Sequence, residues 1–65
     1  MEQELLKRIV VDPKIMVGKP IIKGTRIPVG LILKKLAQKI DVKEILEDFP
    51  RLKEDDIKAA IIYAE

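Results

Sequence analysis

From Val29 onward the apolar residues recur with a period of about 3.6, the spacing of a helix with one buried face. Val29, Ile32, Leu33, Leu36, Ala37 and Ile40 share that face, while Lys34, Lys35, Gln38 and Lys39 fall elsewhere. A second helix is predicted from Asp41, with Glu44 placed to complete a capping box in which Asp replaces the usual Ser or Thr. Val42, Ile45, Leu46 and Phe49 supply its buried stripe, and Pro50 stops it. A third helix is predicted to begin at Lys53 or Glu54, with Glu54, Asp55 and Asp56 favourable in its first turn. Ile57, Ala60, Ile61 and Ala64 make one apolar face, which Ala59, Ile62 and Tyr63 widen beyond what so small a monomer needs. That surplus predicts a homodimer with Ala59, Ile62 and Tyr63 at its interface. Core packing within one chain is the competing role for Tyr63.

Before Val29 the pattern is that of short strands. Arg8-Ile9-Val10-Val11 reads as a β segment stopped by a turn at Asp12-Pro13, Ile15 to Val17 as a connector, and Ile21-Ile22 as a second strand. Residues 1–8 read as a leader, as part of the first strand or as a short helical turn, and residues 9–65 as a single domain. The fold class expected is mainly α: a three-helix, helix-turn-helix-like (winged-helix-like) domain preceded by one or two short β strands.

The stretch GKPIIKGTRIPVG, from Gly18 to Gly30, joins the two regimes. A phosphate-binding loop needs clustered glycines followed by Lys and Ser or Thr at a helix start. Here Gly24-Thr25-Arg26 runs into Ile27 and Pro28, and proline has no N–H to offer a phosphate. An architectural reading uses the residues better. Gly18 and Gly24 suit positive-φ turns, Pro20 holds Lys19 extended, Thr25 serves as a turn hydroxyl, and Pro28 fits the first turn of a helix.

A chain of 65 residues makes one domain and buries only about 60% of the surface its unfolded form exposes. Self-association is the expected stabiliser, since without cysteine there is no disulfide and without histidine or cysteine the familiar zinc sites are missing. No apolar run approaches the roughly 18 residues of a membrane span, and Met1 to Val10 lacks the core of a secretory signal. A cytoplasmic protein is expected. Net charge +2 hides an asymmetry: residues 1–40 carry nine basic and three acidic side chains, residues 41–65 four basic and eight acidic. One end attracts polyanions and the other repels them, and such a molecule can also pair with itself.

Catalysis finds little material, so no enzymatic activity, cofactor or metal is expected. There is no His or Cys, and the single Tyr lies near the end of an apolar helix. Asp12, Glu44, Glu47 and Asp48 are oxygen donors of the type that takes Mg²⁺, but an acidic helix face is ordinarily a solvated one. Lys19, Lys23, Arg26, Lys34, Lys35 and Lys39 are the candidate nucleic-acid contacts, with Arg26 the best placed for a bidentate phosphate or base contact. The competing role for Arg26, and the favoured one, is a brace paired to Asp12 or Glu47. A DNA-reading role for the third helix meets Glu54, Asp55 and Asp56 where base contacts are needed.

Asp12-Pro13, Gly18-Lys19-Pro20, the run from Gly24 to Val29, Glu44-Ile45-Leu46, Phe49-Pro50-Arg51-Leu52, Asp56-Ile57, Ala59-Ala60 and Tyr63-Ala64 occur in an order that closely resembles a small bacterial and archaeal family catalogued as domain of unknown function number 433. The resemblance implies a helix-turn-helix-like fold and an antitoxin role in toxin–antitoxin pairs whose toxins look like PIN-type ribonucleases. The chain departs from the family at Lys53, where a Thr or Ser cap is usual, at a cost of about 1 kcal/mol. The first expectation for function is therefore a cytoplasmic interaction module, antitoxin-like, that binds a toxin protein and DNA through the basic half. The alternative is a DNA-binding transcriptional regulator, and the third is a structural or interaction protein of another kind.

Overall fold

The computed structural model describes residues 2–64 and is mainly helical, with a short two-stranded antiparallel sheet. The described elements are α1 (Glu2–Leu6), β1 (Ile9–Val10), a single turn at Met16–Gly18, β2 (Ile21–Ile22), α2 (Val29–Ala37), α3 (Val42–Asp48) and α4 (Glu54–Ala64). Ile9 pairs with Ile22 and Val10 with Ile21, while Ile21 also bridges back to Pro28. The first strand is shorter than its apolar run because Asp12 starts a turn. Its Oδ1 accepts the Lys14 N–H at 2.8 Å and its carbonyl accepts the Ile15 N–H at 2.9 Å.

The helices enclose a core of Ile22, Val29, Ile32, Ile45, Leu52, Ile57 and Ala60, with Ile9, Ile27, Leu33, Leu36, Ile40, Leu46 and Phe49 packed around it. Each large side chain buried there contributes about 1.5–3 kcal/mol. Pro28 sits one position earlier than expected, at the N-cap of α2 with φ −69° and ψ 142°. Ala37, expected on the buried face, is exposed where the helix ends. That end is a Schellman motif: the Lys39 N–H donates to the Leu36 carbonyl at 2.9 Å and the Ile40 N–H to the Lys35 carbonyl at 3.1 Å. Lys39 supplies the left-handed residue, at φ 63°.

Two caps differ from expectation. Asp41 is the N-cap of α3, but its side chain makes no capping hydrogen bond, so the capping box with Glu44 is not formed. At α4 the absence of a capping side chain on Lys53 is met from the other direction. Asp56, 5% exposed, accepts the Lys53 N–H on Oδ2 at 2.9 Å, the returning half of a capping box. Arg8 Nη1 donates to Asp56 Oδ1 at 3.0 Å, and Nη2 lies 3.6 Å from Asp55 Oδ2.

Residues 2–8 of the predicted leader thus pack as part of the domain, and Met1 lies outside the described residues. Among the packed elements α1 meets α4 most extensively, and Leu5 and Leu6 are partly buried. Ala59 follows Asp56 by three positions, on the helix face that Arg8 reaches, and is 0% exposed. This corrects its assignment to a dimer interface: the surplus apolar face of α4 is in part the seat of α1. Ile62 is partly buried, whereas Ile61 and Tyr63 are each 44% exposed.

Candidate functional site

The Gly-Thr-Arg stretch is a turn held by its threonine. Thr25 donates its N–H (3.0 Å) and its hydroxyl (2.7 Å) to the Ile22 carbonyl, and its Oγ1 accepts the Ile27 N–H at 3.0 Å. The Ile22 N–H donates to the Ile27 carbonyl at 3.0 Å, which closes the loop onto itself, and the Val29 N–H reaches the Pro20 carbonyl at 3.0 Å. Gly24 stands at φ +81° with open space where a Cβ would be, so the glycine answers to backbone conformation and not to crowding. Gly18, at φ +78°, closes the preceding turn in the same way, and Thr25 is a turn hydroxyl as expected.

This turn forms one wall of a groove of about 640 Å³. The half-buried Val10 and Ile15 give it apolar surface over the buried Ile21, and Lys23, Arg26 and Arg51 give it cations. The turn after β2 delivers Lys23 and Arg26, while the connection between α3 and α4 delivers Arg51, which the sequence reading had not singled out as a site residue. Its one signal in the sequence was the Pro50-Arg51-Leu52 break. Among the described residues Arg26 pairs with neither Asp12 nor Glu47. The turn is held by Thr25 instead, and the long-range ion pair among the described residues is that of Arg8 with Asp55 and Asp56.

The other predicted cations are dispersed. Lys19, Lys34 and Lys39 are exposed and do not line the groove. Lys35 is partly buried, its Nζ 5.7 Å from the centroid of the Phe49 ring, so its charge clasps α2 to the end of α3. Lys23 also borders a smaller, polar hollow with Glu4, Lys7, Arg8 and Asp56. Glu44, Glu47 and Asp48 are exposed along α3, and among the described residues no three carboxylates gather into a metal-holding group. No helix among the described residues is long and apolar enough to cross a membrane.

Fold and groove together define a small, mainly helical domain whose most chemically distinctive surface joins fixed aliphatic side chains to cations. Residues 9–64 match the model of the family described as protein of unknown function (DUF433), and the chain belongs to that family. The chain is similar to a crystal structure of a DUF433 member protein from Anabaena variabilis ATCC 29413, with a TM-score of 0.83 and 34% identity, covering 94% of this chain and 60% of that one. It is 39% identical over 54 residues to Uncharacterized protein y4eO of Sinorhizobium fredii, which covers 83% of this chain and 24% of the relative. An Uncharacterized protein of Archaeoglobus fulgidus is 75% identical over 24 residues, 37% of this chain and 67% of that protein. The chain thus spans about a quarter of the rhizobial relative and three-fifths of the solved structure.

Proposed function

We propose that this chain is a cytoplasmic, non-enzymatic interaction module of antitoxin type that binds a partner protein at the Lys23–Arg26–Arg51 groove. A PIN-type ribonuclease is the partner class that the family resemblance implies. The observation that supports this reading is the composition of the groove. Aliphatic surface beside two guanidinium groups suits a peptide segment that offers a carboxylate next to an apolar side chain, because Arg binds carboxylate bidentately. A phosphate-tracking surface gains nothing from Val10 and Ile15.

DNA is the second ligand in this reading, drawn to the same rim cations. The first turn of α4 does not serve it, since Glu54 and Asp55 are exposed there and Asp56 is committed to Arg8 and the Lys53 N–H. The test is affinity capture from the source cells at moderate salt, with the wild-type chain and with Arg26→Glu/Arg51→Glu. A stoichiometric small nuclease on the wild type, absent from the variant, is the expected result. Enriched DNA with no protein partner, and affinity falling steeply with salt as phosphate contacts demand, overturns it in favour of a transcriptional regulator.

A further inference from the structure

The turn at Met16–Gly18 is built against the preference of its residues. Met16, Val17 and Gly18 follow one another at φ 51°, 56° and 78°, a left-handed turn closed by the Gly18 N–H on the Ile15 carbonyl (3.1 Å) and the Lys19 N–H on the Met16 carbonyl (3.2 Å). A left-handed conformation is costly for any residue with a Cβ, and a β-branched side chain is a true outlier there. Val17 is also 94% exposed, so among the described residues only the two backbone hydrogen bonds of the turn, and no burial of its side chain, offset that cost. An exposed valine alone is ordinary. An exposed valine on a strained backbone, beside a 38% exposed Met16 and flanked in sequence by the exposed Lys14 and Lys19, is a projecting apolar knob with a cationic collar. Strain of this kind points toward a contact made outside the fold.

The same chain carries a receptor of matching chemistry. Between α3 and α4 lies a groove of about 600 Å³ lined by Val42, Lys43, Leu46, Glu47 and Glu54. Val42 is 37% exposed, so its apolar surface is open, and two carboxylates outnumber the one ammonium on the rim. We infer that the Met16–Val17 knob docks into the α3–α4 groove of a second copy of this chain, with Lys14 and Lys19 against Glu47 and Glu54. The occupant is a second copy because the two faces are complementary in both polarity and charge. This contact uses none of Lys23, Arg26 and Arg51, so it stands or falls separately from the function proposed above.

The experiment measures self-association of the full chain by sedimentation equilibrium, alongside thermal melting. The wild type associates reversibly. Val17→Gly removes the knob and relieves the left-handed strain, so it melts at or above the wild-type temperature while its dissociation constant rises at least about tenfold. Val17→Asn, which tolerates the conformation but is polar, gives the same loss of association. Lys19→Glu and Glu47→Lys each weaken self-association, by roughly fivefold, and an equimolar mixture of the two restores it because each knob then faces a groove of opposite charge. A wild type that stays monomeric at millimolar concentration, valine variants that associate normally, or a mixture no tighter than its components overturns the inference.

Discussion

Replacing Asp56 by alanine removes two interactions through one carboxylate. The Lys53 N–H loses its acceptor at 2.9 Å, and Arg8 loses its nearer partner at 3.0 Å. Loss of an N-terminal cap costs about 0.5–2 kcal/mol. The ion pair adds no more than about 1 kcal/mol, because the Arg8 side chain is 37% exposed and solvent screens it. Together the loss should be about 2 kcal/mol, which in a domain of this size lowers the melting temperature by about 8–16 °C. Asp56→Asn keeps an acceptor for the Lys53 N–H while losing the charge, and should cost about half as much. Urea titration of the wild type, Arg8→Ala, Asp56→Ala and the double variant measures the coupling directly, with an expected value of about 0.5–1 kcal/mol. An Asp56→Ala loss below about 0.5 kcal/mol, or strict additivity with Arg8→Ala, would refute the claim that this carboxylate joins the two ends of the domain.

Two further substitutions probe the backbone that carries the grooves. Lys39→Gly should raise stability by about 0.5–1 kcal/mol in a thermal melt, since glycine occupies the left-handed position of the Schellman motif without the Cβ penalty. Thr25→Val, close in shape but lacking the hydroxyl, should cost about 1–2 kcal/mol because it strands the Ile27 N–H, and Thr25→Ser should recover most of that loss. Denaturant midpoints that rank valine and serine together would remove Thr25 from the support of the groove.

Helices α2, α3 and α4 were legible in the sequence because their signals are local. The period from Val29 fixes the face of α2, and the acidic run at Glu54 marks the start of α4 to within a residue. Gly24 and Thr25 were legible for the same reason, since a positive φ and a turn hydroxyl are demands made by neighbours in the chain. What escaped was long-range. Nothing near Arg8 announces Asp56, and an alanine buried within the chain looks in sequence like an alanine at a dimer interface. Arg51 was overlooked because its importance comes from the Gly24–Arg26 turn with which it shares a groove, not from the helix it follows.

The pair Arg8 and Asp56 spans 48 positions of the chain. Contacts so far apart return nothing until the intervening segment has been brought into place, which predicts that this one forms late on the way to the native state. An interaction absent from the transition state acts on escape from the folded state and not on the approach to it. Arg8 and Asp56 are therefore expected to serve the domain as a latch: Arg8→Ala should speed unfolding in stopped-flow denaturation and leave the folding rate nearly unchanged.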